Sequence, residues 1–218
     1  MMQSSIRRNS ILLGLFAVLT TNIIVGTYLG TRDKIVEARR QAQEKALLEI
    51  IPLERHNNSM LDDSIAVGPQ AAGLGLRTDK NIYVARQDGT AIAVILPVTA
   101  PDGYSGAIDL IVGINGDGSV AGVRALAHKE TPGLGDKVDL KKSDWILSFD
   151  GRSLANPLPA KWKVKKDKGV FDQFTGATIT PRAVTAAVRR SLEYFHANRA
   201  KLLASPAAQD QKLENKHG

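Results

Sequence analysis

The sequence predicts an α+β fold: a mainly antiparallel sheet built from hairpins, with flanking helices, preceded by a single N-terminal transmembrane helix. Three observations predict it. Residues 9–31 carry no charge. Two pairs of apolar, β-branched runs are joined by Asp-Gly and Asn-Gly-Asp-Gly turns. A Thr-Pro pair opens a stretch whose apolar residues recur at helical spacing. With 218 residues, 43% hydrophobic and 23% charged, the chain has room for one globular domain with extensions.

The first element is the apolar run Ile11–Leu29. As a helix, its residues reach about 28 Å, close to the hydrocarbon thickness of a bilayer. Thr20, Thr21 and Asn22 interrupt it, and polar residues of this kind can face a partner helix. A cleaved signal peptide is the rival reading, and Arg7-Arg8 fits its basic start. The length of the run and the lack of an Ala-x-Ala site favour a retained anchor. Orientation is open on charge alone, since Arg7 and Arg8 flank one side and Arg32, Lys34, Arg39 and Arg40 the other. Residues 1–31 therefore form an anchor segment.

Residues 32–98 are expected to hold a membrane-proximal helix and the first strands. Asp33 to Ile51 is rich in helix formers and Pro52 marks its end. Leu53 to Gly75 reads as irregular, with a short strand near Ile65. Ile82–Arg86 and Ala91–Val98 flank Asp88-Gly89 as a hairpin. A second hairpin pairs Ala107–Ile114 with Val120–His128. Within Lys141 to Phe149 a short helix is expected to end near Trp145, followed by a turn at Asp150-Gly151. The last helix runs from Pro181 to about Arg199, with Thr180 as its N-cap and Ala183, Val184, Ala187, Val188, Leu192 and Phe195 on its apolar face. A polar tail, 197–218, is expected to be disordered.

Composition narrows the chemistry. A net charge of +7 suggests an anionic neighbour: membrane phospholipid, nucleic acid or an acidic cofactor. No cysteine is present, which excludes disulfides, thiolate zinc sites and iron–sulfur clusters. Any redox role must then rest on an organic cofactor. No Gly-x-x-x-x-Gly-Lys-Ser/Thr loop occurs, against a nucleotide triphosphatase, and the Gly116-x-Gly118 pair belongs to a hairpin rather than a dinucleotide-binding turn. His56, His128, His196 and His217 lack ligand spacing, so no metal site is expected, and no Ser/His/Asp arrangement can be argued. The basic run Lys161–Lys168 reads as an edge strand with solvated lysines, with lipid head groups a further option and nucleic acid not expected as a partner.

Two stretches carry the functional signal. The run Asp172-Gln173-Phe174-Thr175-Gly176-Ala177-Thr178-Ile179-Thr180-Pro181 sets hydroxyls among small residues at a helix start. Helix N-termini offer unpaired N–H groups and partial positive charge, a setting for phosphate. Gly176 and Ala177 leave room beside Thr178, so a phosphorylated ligand could be held, even covalently. The same run is also an ordinary capped loop, and the stretch alone leaves both readings open. The second stretch, His128-Lys129-Glu130-Thr131-Pro132-Gly133-Leu134-Gly135-Asp136, packs a proline and two glycines after a strand. Backbone N–H groups freed there can meet phosphate or a flat heterocycle; a tight connection with a solvated Glu is the plain alternative.

Together, Glu-Thr-Pro-Gly-Leu-Gly and, about forty residues on, Asp-x-x-Thr-Gly-Ala-Thr before a helix resemble the covalent FMN-binding domain family. Within it the chain is similar to the G subunits of Rnf-type ion-translocating electron-transport complexes. The C subunits of sodium-pumping NADH:quinone oxidoreductases are relatives. The resemblance covers roughly Thr99 to Phe195, inside an FMN-binding domain at 99–196, and no departure from the pattern is seen.

The resemblance implies a phosphoester between Thr178 and FMN. It implies that Asp172, Thr175, Gly176, Ala177 and Thr178 are read by a flavin transferase that uses FAD and magnesium. Glu130, Thr131, Gly133 and Leu134 would lie beside the flavin. The domain would sit on the periplasmic side of the bacterial inner membrane. The chain would relay electrons between other subunits of the membrane complex, as a carrier rather than a complete catalyst, with no catalytic residue of its own. The alternatives are the C-type quinone-reductase subunit, another covalent-flavin carrier, and a non-redox anchored binding module.

Overall fold

The computed structural model describes residues 2–204. The polar tail expected over 197–218 lies outside the described residues from 205 onward, and its first part, to Leu202, continues the last helix. The chain divides into two compact units, the second beginning at Ala46. The first is a helix. Helix α1, Met2–Leu48, runs without a break through the apolar stretch and the polar segment after it, and is long and apolar enough to cross a membrane. Within it Thr20, Asn22, Thr27 and Thr31 return their side-chain hydrogen bonds to carbonyls three or four residues back, which satisfies polar groups on an apolar helix.

The second unit is built on a five-stranded antiparallel meander: β1 (Ser64–Val67), β2 (Lys80–Gln87), β3 (Thr90–Ala100), β4 (Ile108–Asn115) and β5 (Val120–Ala127), paired in that order. The strands of both hairpins are present, as is the short one near Ile65. Both hairpins follow from their turn residues. Asp88 and Gly89 have φ of 52° and 79°, the two left-handed positions that a two-residue hairpin with the right twist needs. In the second turn Asp117 accepts hydrogen bonds from the Ser119 N–H (2.8 Å) and hydroxyl (2.7 Å), and hydrogen bonding from Ser119 holds its carboxyl below the usual range.

β3 explains why the sheet is central: from Ala91 to Val98 it is apolar throughout because both faces are covered. Val94, Leu96, Val98 and Ala100 join one core with helix α2 (Ile179–Leu202), through Val184, Val188, Leu192 and Phe195. Ala93 and Ile95 join a second, smaller core with Leu47, Ile50, Ile51 and Met60. Gly113 and Gly122, paired across β4 and β5, make room for Ile50; a Cβ on Gly113 would collide with its side chain.

Between β5 and α2 the chain forms short 3-10 turns around an aromatic cluster. Phe149 is fully buried among Trp145, Trp162 and Phe171, at 4.6–6.2 Å between ring centroids. The short helix expected within Lys141–Phe149 is a 3-10 helix at Asp144–Phe149; it begins rather than ends near Trp145, because the Ser143 side chain caps the Trp145 N–H. The basic run is not an edge strand. Residues 159–161 and 165–167 are 3-10 turns, and only Val164 bridges, to Phe171. The reason is local: Lys168 takes the left-handed conformation (φ 65°), and Gly169 packs against the Lys163 backbone where no Cβ would fit, so the segment folds back on itself. Trp162 and Val164 turn inward and the lysines outward.

Phe149 holds this cluster together, and its truncation removes contacts that the rigid surround cannot refill. Phe149→Ala is expected to cost about 3–5 kcal/mol of unfolding free energy. Urea titration of the wild type and variant measures this, and a midpoint shift worth less than about 1 kcal/mol would contradict the packing described.

Candidate functional site

Four segments meet at the N-terminal end of α2: the β3–β4 loop, the loop after β5, the run 172–178 and the first turn of the helix itself. What gathers them is one buried carboxylate. Glu130 is 4% exposed. It accepts hydrogen bonds from the N–H groups of Tyr104 (3.3 Å) and Ser105 (2.9 Å) and from the Thr180 hydroxyl. Its own N–H donates to His128 Nδ1 at 3.2 Å. A buried carboxylate is tolerated only when its oxygens are satisfied in this way. The plain alternative of a solvated Glu is therefore excluded: the side chain points inward and braces the site.

The loop after Glu130 closes on itself. The Thr131 carbonyl accepts from Leu134 (3.1 Å), Gly135 (3.0 Å) and Asp136 (3.4 Å), so these N–H groups are used within the loop rather than offered to a ligand. Gly133 supplies the required positive φ of 76°. Gly135 is needed for space: a Cβ there would lie 2.8 Å from Thr180 Oγ1 and 2.9 Å from Glu130 Oε2.

The run 172–178 is pinned from beneath. The Trp145 indole donates to the Asp172 carbonyl at 2.8 Å, and Phe174 packs edge-on against Trp145 at 5.0 Å. A turn follows, closed by the Ala177 N–H on the Phe174 carbonyl (3.2 Å), with Gly176 at φ 80°.

The helix start differs from expectation. Thr180 is not the N-cap; it is fully buried inside the first turn and its hydroxyl serves Glu130. Thr178 holds the N-cap position, and α2 begins at Ile179, so Pro181 is the third helical residue, still within the turn that needs no N–H partner. Thr178 makes no side-chain capping hydrogen bond and none to any other described residue. The residue is half-buried and its hydroxyl uncommitted.

These segments enclose a cavity of about 300 Å³ lined by Tyr104, Glu130, Thr131, Leu134, Gly135, Gly176, Ala177, Thr178, Ile179 and Thr180. Of the residues singled out in the sequence, Glu130, Thr131, Leu134, Gly176, Ala177 and Thr178 converge on it. Gly133 and Thr175 are exposed and do not line it. Asp172 stands apart on the surface, paired with Lys165 at 2.6 Å. Tyr104, Ile179 and the buried role of Thr180 escaped the sequence reading. The aromatic flanked by Gly103 and Gly106 was the available signal for the first. A larger groove, about 680 Å³, runs between β1 and the second half of α2, past Ile65, Val67 and Tyr194, and holds none of the singled-out residues.

Charge near the helix start is balanced on one side. Arg182 donates two hydrogen bonds of 2.6 Å to Asp167. Those bonds, with Lys163 and Lys166 adding to them, hold the Asp167 carboxyl below the usual carboxylate range against an opposing desolvation effect.

The family description "FMN-binding domain" matches residues 103–193, and "RnfG N-terminal region" matches residues 1–50. The G subunit of the ion-translocating oxidoreductase complex of Pseudomonas aeruginosa is 51% identical over 205 residues, covering 94% of this chain and 95% of that one. The G subunit of the same complex in Shewanella loihica is 47% identical over 206 residues, covering 94% and 97%. A crystal structure of Shewanella oneidensis NqrC aligns with a TM-score of 0.47 at 24% identity, over 68% of this chain and 76% of that one.

The brace at Glu130 generates a measurable expectation. In Glu130→Ala the amides of Tyr104 and Ser105 lose their acceptor, and their hydrogen exchange is expected to accelerate by at least tenfold while the β3 and β4 amides keep theirs. Exchange followed by mass spectrometry checks this; unchanged protection at 104–105 would show that the carboxylate does not organise the loop.

Proposed function

The chain belongs to the family of G subunits of ion-translocating oxidoreductase complexes, and on that premise we propose that it carries FMN on Thr178 through a phosphoester and relays electrons between neighbouring subunits of the complex. The observation that carries this reading is the Thr178 hydroxyl. Thr178 lines the cavity, at a helix N-terminus, and its hydroxyl spends no hydrogen bond on the fold.

The residues present fit the group. The positive-φ Gly176 and the small Ala177 leave the approach to Thr178 open, and the nearest atom to a Cβ on Gly176 would be Leu134 Cδ2 at 3.4 Å. A phosphate at the start of α2 gains about 0.3–1 kcal/mol from the helix dipole, enough to bias its placement while the ester retains it. Leu134 and Ile179, both more than 40% exposed, offer apolar surface for a ring system, beside the loop that Glu130 holds in place. Bound FMN supplies reversible uptake of electrons, which a chain without cysteine cannot draw from thiols or thiolate-held clusters. The protein's own part is to hold and orient it: Thr178 as attachment point, Glu130 and Thr180 as the brace, Thr131 and Leu134 as walls.

Attachment requires a flavin transferase that draws FMN from FAD, releasing AMP as the Thr178 oxygen–phosphorus bond forms. Asp172, Thr175 and Gly176 are exposed and accessible to such an enzyme. In this reading α1 anchors the protein in lipid of the bacterial inner membrane, with the second unit on the periplasmic side. The 51% identity with a G subunit favours this complex over the C-type quinone-reductase subunit.

Protein made in its native host is expected to carry a mass increment of one FMN on the peptide containing Thr178, and to fluoresce in denaturing gels under ultraviolet light. Thr178→Ala should be folded and colourless. An unmodified wild-type mass would leave an anchored, non-redox module instead. Protease added to spheroplasts should remove the second unit; full protection would place it in the cytoplasm.

A further inference from the structure

We infer that Tyr104 is a flavin-contacting residue, its phenol ring forming a wall against which the isoalloxazine system packs. This rests on the proposed function and extends it to a residue that neither motif contains. Tyr104 is held tightly by its backbone and loosely by its side chain. Its N–H is bound to Glu130, and so is that of Ser105. Gly103, just before it, has no room for a Cβ, which would strike the Gly106 carbonyl and lie 3.0 Å from Glu130 Oε1. The loop is therefore fixed at its base.

The residue, however, is 68% exposed, and among the described residues its ring has no aromatic partner and its hydroxyl no hydrogen bond. It lines the same cavity as Thr178, with the exposed side chains of Leu134 (42%) and Ile179 (45%). Three large apolar or aromatic side chains held open around one uncommitted hydroxyl are what a flat conjugated ligand tethered at that hydroxyl would cover. An electron-rich phenol against an electron-poor heterocycle favours offset stacking. In such contact the phenol gives one electron to the photoexcited flavin and recovers it in the dark. No net chemistry results, but emission is quenched.

The test uses full-length protein from the native host, in detergent, with flavin content set by intact mass. Tyr104→Phe keeps the ring and loses the donor, whereas Tyr104→Leu loses both. Tyr104→Trp restores a donor. Emission per attached flavin is expected to rise several-fold in the Phe and Leu variants and to stay quenched in the Trp variant. The visible circular dichroism of the flavin should change only in Leu. Normalising to attached flavin keeps the comparison valid if loading is partial.

Should a variant load poorly, free riboflavin titrated onto Thr178→Ala, with and without Tyr104→Leu, gives the same answer through weakened binding. Emission, dichroism and riboflavin affinity all unchanged by Tyr104→Leu would overturn the assignment. A wild-type protein without the FMN adduct would instead overturn the proposed function, so the two failures are distinct.

Discussion

A single buried carboxylate organises the end of this molecule that matters. Glu130 lies on a loop after β5, yet its two oxygens are occupied by groups from the β3–β4 loop and from the first turn of α2. Removing a carboxylate from water is costly, and only a full set of donors offsets that. The donors must therefore be delivered together, which forces three segments distant in sequence into one register. The glycines nearby follow from the same constraint. Gly135 and Gly103 are small because any side chain would intrude on Glu130 or its partners.

The rest of the globular unit serves to present those segments stably. The sheet is buried on both faces, and α2 is fastened along its length. Arg86, almost fully buried, links the end of the helix to the sheet by donating to the Ala204 carbonyl (3.0 Å) and to Asp63 (2.7 Å). Arg199 donates to the Gly116 carbonyl in the β4–β5 turn. With its far end fixed in this way, the N-terminal turn of α2 has a defined place relative to the Glu130 loop, and the aromatic cluster fixes the approach to it through Trp145.

What was legible in the sequence was whatever local chemistry decides. Asp88-Gly89 and Asn115–Gly118 can only turn one way, and the apolar spacing after Pro181 admits one helix face, so the sheet and α2 follow from residues a few positions apart. The two motifs do converge on one cavity. What escaped depends on partners far along the chain. Thr180 has the sequence context of a cap, but a carboxylate fifty positions earlier claims its hydroxyl. Glu130 looks solvated until the Tyr104 and Ser105 amides are placed over it. The lysine run alternates like a strand, yet Lys168 and Gly169 fold it back before it can reach the sheet.

The idle hydroxyl of Thr178 has a consequence for biogenesis. A side chain that supports nothing in the architecture can be derivatised without dismantling it, so on the proposed attachment shape would not wait on pigment. On the proposed attachment, the polypeptide would reach its finished form first and be loaded later, by an enzyme that meets an already assembled, half-buried threonine beside an exposed loop. Unloaded molecules would then be a reserve rather than wreckage.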